Sequence, residues 1–187
     1  AEQAVLEFEL HLPGRHNAGN AAAAVAACLA AGVSLGTVAE ALSRYQGVKG
    51  RLQRRQGRNG ALVIDDTYNA NPDSMRAAID VLAGVPGRRI LVMGDMGETG
   101  EAAGQLHDEI GGYAKSAGID RLLALGDLSA TAARNFGAGA EHFRKVEDLN
   151  KVLAGELGAD AAVLVKGSRF MRMERVVDAI VENSRAA

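Results

Sequence analysis

The sequence has 187 residues, of which 48% are hydrophobic and 24% charged, and its 21 Lys and Arg against 23 Asp and Glu leave a formal net charge of -2. Length and composition suit one sizeable domain, or one domain with part of a second, and exclude disordered, collagenous, coiled-coil and mucin-like chains. There is no basic excess to neutralise a phosphate backbone and no apolar run near the roughly 18–20 residues that cross a bilayer, so neither nucleic acid nor membrane insertion is expected.

Residues 1–12 alternate as a strand does, with Val5, Phe8 and Leu10 apolar among Glu7, Glu9 and His11, before Pro13 and Gly14 force a turn. The carboxylates at this start stand where a signal peptide carries positive charge, so a cytoplasmic protein is expected. Residues 17–31 are alanine-rich and predict a helix ended by Gly32, and Ser34 caps a second helix that runs through Arg44. Cys28, the single cysteine, lies in the first of these helices and reads as a small buried apolar residue in a reducing compartment. One strand and two helices do not complete a domain, because a lone strand leaves its backbone groups unpaired. Residues 1–48 therefore read as the tail of a preceding domain, expected to be less stable than residues 49–187.

From Arg51 onward the pattern becomes apolar strand, loop and helix, repeated without hairpin signals. The predicted strands are 61–64, 89–93, 121–125, 141–143 and 161–165, short apolar runs of the kind that make buried parallel strands. The predicted helices are 74–83, 101–117, 129–136, 146–157 and 171–183, joined by right-handed crossovers. Residues 49–187 thus predict a doubly wound α/β domain with a mainly parallel sheet.

In such sheets ligands bind outside the carboxyl ends of the strands, and the loops there are polar. The first strand is followed by Asp65, Asp66, Thr67, Tyr68, Asn69, Ala70, Asn71, Pro72, Asp73 and Ser74. Asp73 and Ser74 are explained by turn and cap chemistry, whereas Asp66, Asn69 and Asn71 exceed what a turn requires. The second strand leads into Asp95 and Glu98, framed by Gly94 and Gly97, which would let a ligand approach the backbone. The last strand ends in Lys166, a lysine that needs an anionic partner if buried, followed by Gly167, Ser168 and Arg169. Arg172 and Arg175 read as a solvated helix face. His16 and His107 lack metal-ligand partners at suitable spacing, and no GxxxxGK[ST] phosphate loop is present.

Five segments in order, Leu12-Pro13-Gly14-Arg15-His16-Asn17, Val48-Lys49-Gly50-Arg51, the run from Ile64 to Ser74, Val92-Met93-Gly94-Asp95-Met96-Gly97 and Val165-Lys166-Gly167-Ser168-Arg169, together resemble the Mur ligase family. Within it the likeness is to the members that add D-alanyl-D-alanine to UDP-N-acetylmuramoyl-tripeptide in peptidoglycan synthesis. The resemblance implies three domains: one for the UDP-sugar, a central ATPase with the phosphate loop, and a carboxyl-terminal Rossmann-like domain for the incoming amino acid or dipeptide. This chain matches the last of these plus the tail of the central one.

On that resemblance Asn17 and Asn20 would lie near the adenine, Arg51 near the ATP phosphates as the catalytic cation, and Asp66 near the ribose. Asn69, Asn71, Asp95, Glu98, Lys166, Ser168 and Arg169 would face the dipeptide. The implied reaction is ATP-dependent amide formation through an acyl phosphate, with magnesium held mainly by upstream domains, and this chain alone should be inactive. The implied partners are small-molecule and nucleotide-sugar peptide substrates and the protein's own upstream domains. Two other readings stay open. A magnesium-dependent phosphotransfer domain, receiver-like or phosphatase-like, could use Asp65, Asp66, Asp95 and Lys166, and a non-catalytic binding module would need no upstream phosphate loop.

Overall fold

A computed structural model describes residues 7–182, which divide between Val48 and Lys49 into two compact units. In the first unit, helix α1 (Arg15–Ala30) is built largely of alanine, the residue that loses least entropy in a helix. It ends in a Schellman turn at Gly32 (φ 85°), where the Gly32 amide donates to Leu29 O at 3.0 Å and the Val33 amide to Cys28 O at 3.0 Å. Helix α2 (Leu35–Arg44) is capped by Ser34, whose hydroxyl accepts from the Thr37 amide at 3.2 Å. Ala21 and Val38 are the buried apolar residues of these helices, and Cys28, expected to be buried, is half-buried. Of the strand expected over 1–12, residues 1–6 lie outside the described residues and residues 7–12 form no strand. Alternation supplies a face for a strand but not the second backbone that makes a ladder.

The second unit holds six strands, β1 (Gln53–Gln56), β2 (Leu62–Asp66), β3 (Arg88–Gly94), β4 (Arg121–Leu125), β5 (Ala140–Phe143) and β6 (Ala161–Lys166), in the spatial order β1-β2-β6-β3-β4-β5. All neighbours are parallel except β1, which pairs antiparallel with β2. β1 reads Gln-Arg-Arg-Gln, has no apolar pattern and is absent from the sequence expectation. The signal that marks it is Asn59-Gly60, a hairpin-closing dipeptide whose two residues take φ 57° and 79° here.

Strand alternation splits the core in two. Val63, Ile90, Val92, Val163 and Val165 face helices α6 (Val146–Glu156) and α7 (Glu174–Ile180). Ile64, Leu91, Met93 and Leu164 face α3 (Pro72–Ala83), α4 (Ala103–Ser116) and α5 (Ser129–Phe136). β6 lies between β2 and β3 with all six residues buried, as its near-continuous apolar run requires. The helix expected over 171–183 is shorter than its pattern. Arg172 sits at φ 50°, which no right-handed helix contains, so a 3-10 turn (Arg169–Met171) precedes α7.

The helices after β2 and β3 lie on one face and α7, after β6, on the other. The carboxyl ends of β2, β6 and β3 therefore flank switch points of the sheet, where the chain leaves crevices. Met173 closes the floor there. A Cβ on Gly94 would lie 2.8 Å from its sulfur, and one on Gly167 would lie 2.7 Å from its Cγ and 3.0 Å from the Gly94 Cα.

Candidate functional site

β2 ends in two carboxylates that the pleat sends to opposite faces. Asp65 Oδ1 accepts from the Thr67 amide (3.2 Å) and hydroxyl (2.7 Å), while its buried Oδ2 has no partner among the described residues. Asp66, 9% exposed, uses both oxygens: Oδ1 accepts from the Leu52 amide at 3.1 Å and Oδ2 from the Lys166 ammonium at 2.6 Å. The ammonium also donates to Asn69 O at 2.9 Å. Lys166 stands beside Asp66 in the parallel register of β2 and β6 and is 3% exposed. An uncompensated charge there would cost several kcal/mol, which the pairing offsets.

The same pair reaches the segment before β1. Leu52 is held at φ 51° and Gly50 at φ 75°, and the Tyr68 amide donates to Gly50 O at 3.0 Å. A Cβ on Gly50 would lie 3.1 Å from the Tyr68 nitrogen, and with φ at 75° a side chain there would be both crowded and strained, which favours glycine. Between these two clamped residues Arg51 is exposed, its guanidinium carbon 4.2 Å from the Tyr68 ring centroid. No ion pair among the described residues occupies it.

Asp95 is 7% exposed and its carboxylate turns inward to the start of α5, accepting from the Ser129 amide (2.7 Å) and the Leu128 amide (3.3 Å). A negative charge is favoured at a helix N-terminus. Ser168, 3% exposed, joins three loops: its hydroxyl donates to Ala70 O (3.0 Å) and accepts from the Gly97 amide (2.7 Å), and its amide donates to Asp95 O (3.0 Å). Asn71 is the N-cap of α3, accepting from the Ser74 amide at 2.8 Å while Ser74 accepts from the Asn71 amide at 3.0 Å. The cap expected at Ser74 is therefore one half of a reciprocal box centred on Asn71.

The expected site residues thus fall into two sets. Asp66, Asp95, Lys166 and Ser168 are buried and already bond to protein groups, because buried polar atoms at the ends of a sheet must find partners, while the Asn71 side-chain carbonyl, on an exposed residue, is taken up by the cap of α3. Arg51, Asn69, Glu98 and Arg169 are exposed; Glu98 holds φ 57°, and Arg169 leans on Glu174 at 3.3 Å. Asn17 and Asn20 belong to the first unit, where Asn17 donates to Pro13 O (2.7 Å) and accepts from Asn20 (3.3 Å).

Sequence reasoning passed over Tyr68 and Phe170, 50% and 63% exposed on the loops after β2 and β6, although large aromatics at strand ends were the available signal. It also passed over a role for His107. Fully buried, its Nε2 accepts from the Met96 amide at 2.8 Å, which puts the proton on Nδ1, facing Ala103 O at 2.6 Å. It thereby fastens the Asp95 loop to α4. Its spacing in the sequence carries no sign of this.

Among the described residues no cluster of three or more His, Cys, Asp or Glu could hold a metal. A cleft of about 370 Å³ opens at the opposite, amino edge of the sheet, beside Arg54, Pro86 and Asp160. Its position is not where parallel sheets gather chemistry, and the carboxyl edge remains the candidate on geometry.

The fold defines a domain of the doubly wound α/β class with polar loops gathered at the carboxyl ends of its strands. More narrowly, the chain belongs to the Mur ligases: residues 50–169 match the family described as Mur ligase, glutamate ligase domain. It is 44% identical over 177 residues to the UDP-N-acetylmuramoyl-tripeptide--D-alanyl-D-alanine ligase of Escherichia coli (strain K12), covering 93% of this chain and 39% of that protein. It superposes on a crystal structure of MurF from Acinetobacter baumannii with TM-score 0.85 and 38% identity, over 91% of this chain and 39% of that one. MurF of Thermotoga maritima, solved in complex with ADP, gives TM-score 0.80 and 26% identity over 90% of this chain and 38% of that one. The chain spans about two fifths of the length of the relatives it matches.

Proposed function

We propose that this chain is the carboxyl-terminal part of a cytoplasmic, ATP-dependent ligase that joins D-alanyl-D-alanine to UDP-N-acetylmuramoyl-tripeptide. The observation that carries the reading is the 44% identity to the Escherichia coli ligase along 93% of this chain. On this reading residues 1–48 are the tail of the central ATPase domain, and the phosphate loop and magnesium site come from upstream. The described carboxylates do not fit magnesium, since no cluster of three donors forms and Asp66 and Asp95 are already bonded.

In the proposed reaction the tripeptide carboxylate takes the γ-phosphoryl group of ATP, releasing ADP, and the dipeptide amine then displaces phosphate from the acyl carbon. Such chemistry depends on positioning and on neutralising charge. Arg51, exposed and without a carboxylate partner among the described residues, suits the ATP phosphates, and the ADP complex of the Thermotoga maritima relative supports a nucleotide in this family. Asn17 and Asn20 are assigned to the adenine and Asp66 to the ribose. Asn69, Glu98 and Arg169 are exposed polar groups at the carboxyl edge, and a zwitterionic dipeptide needs both signs of charge. Asp95, Lys166 and Ser168 shape that edge from within, and Asn71 does so at the surface by capping α3.

The test is a chimera in which this chain replaces the matching 39% of the Escherichia coli ligase. Phosphate release is expected only with both the tripeptide substrate and D-alanyl-D-alanine, and not with L-alanyl-L-alanine. A folded chimera that ignores the dipeptide or prefers the L-isomer overturns the proposal.

A further inference from the structure

We infer that Lys166 is a positioning residue that sets the direction of Arg51 through Asp66 and Leu52, rather than a group that touches the dipeptide. The inference deepens the ligase reading, because it assumes that the orientation of Arg51 matters to phosphate.

Lys166 donates to Asp66 Oδ2 at 2.6 Å and to Asn69 O at 2.9 Å. The other oxygen of the same carboxylate accepts the Leu52 amide at 3.1 Å. Leu52 sits at φ 51°, a left-handed conformation that costs a β-carbon residue of order 1 kcal/mol or more unless its surroundings hold it. The hydrogen bond from the Leu52 amide to Asp66 is one such hold. Burial of the Leu52 side chain, 5% exposed, is the other.

On the far side of Arg51, the Tyr68 amide donates to Gly50 O at 3.0 Å, and Tyr68 precedes the carbonyl that Lys166 grips. One ammonium therefore braces both walls of a two-residue bay from which a guanidinium projects over the Tyr68 ring at 4.2 Å. The ion pair closes a contact between residues 100 apart in sequence, which links the end of β6 to the segment before β1. The geometry gives Lys166 no free face: it is 3% exposed, and the protein carbonyl and carboxylate around it are already bonded. An arginine freed from this bay would sample many rotamers, and its loss of order would fall on catalysis rather than on folding.

The test requires no ligand, so its outcome is independent of whether the chain is a ligase part. In the 187-residue chain, Lys166→Met is expected to speed amide exchange at Leu52 and Tyr68 by about tenfold or more relative to wild type, while Leu91 and Leu123 in β3 and β4 stay unchanged. Contacts between the Arg51 guanidinium and the Tyr68 ring in NMR spectra should disappear with them. If Lys166→Met does not fold, Asp66→Asn, which keeps an acceptor for Leu52 but removes the ion pair, should give the same local pattern at smaller amplitude. Unchanged protection at Leu52 and Tyr68 in a folded variant overturns the inference. So does a uniform loss across β3 and β4, which would make Lys166 only a contributor to global stability.

Discussion

The two units of the chain form their helices for opposite reasons. α1 and α2 rest on local chemistry, in the form of an alanine run, a Schellman turn and a serine cap, yet Ala21 and Val38 are the buried apolar residues they contribute. Leu29, Val33, Tyr45 and Val48 stay exposed around them, at 43%, 37%, 40% and 48%. In the second unit α3 carries its own capping box, but α4, α5 and α6 have no side-chain cap of their own. They do lie on one of two closed apolar layers. The contrast teaches that propensity decides where a helix forms, and packing decides how firmly it is held.

Amide exchange should show the largest difference. Amides in α1 and α2 are expected to exchange several orders of magnitude faster than those of β3 and β6, and equal protection in both units would break the comparison. Next in size, Ile90→Ala, made at a fully buried position, should lower unfolding stability by about 2–5 kcal/mol in denaturant titrations. Val38→Ala removes two buried methyl groups but gains helix propensity, and should cost about 1 kcal/mol, a gap that measures what the larger core supplies.

Smaller still, Asp95→Asn replaces one acceptor at the start of α5 with a donor and should cost about 1–2 kcal/mol, sharpening the case that this helix borrows its cap from another strand. The smallest effect concerns pH. The Arg89 amide, followed by the Arg89 side chain, holds the Asp120 carboxyl below the usual aspartate range. A depressed acid stabilises the fold above its unfolded value and loses that contribution as pH falls through the folded one. Asp120 is 42% exposed, so Asp120→Asn should cost no more than a few tenths of a kcal/mol at pH 7 and nothing in strong acid, as thermal melts at both pH values would show.

β2, β3, β4 and β6 were legible because buried parallel strands must be near-continuously apolar, and they lie within a few residues of their patterns; β5 was also expected, although it is an edge strand that reads Ala-Glu-His-Phe. β1 was not, because an edge strand with polar side chains pairs through its backbone, which the sequence does not display. The site was legible as a place before it was legible as roles. The polar residues do gather at the ends of β2, β3 and β6, but residue type alone could not tell Lys166, turned inward to Asp66, from Arg169, turned out to solvent. That distinction comes from registry: Lys166 is opposite Asp66 in the ladder, and Arg169 lies beyond its end. The exchange of cap roles between Asn71 and Ser74 has the same origin, since either residue type can serve and the helix start decides.

The packing of Met173 against Gly94 and Gly167 also constrains how this sequence can drift over generations. A side chain added at Gly94 meets the flexible end of Met173 first and the Gly167 backbone only at 3.4 Å, so alanine becomes tolerable there once position 173 has shrunk. At Gly167 the obstacle is the Gly94 backbone itself at 3.0 Å, and no change at Met173 removes it. Change at position 94 is therefore expected to come more readily once position 173 has shrunk, whereas glycine at position 167 is expected to be favoured whatever stands at 173.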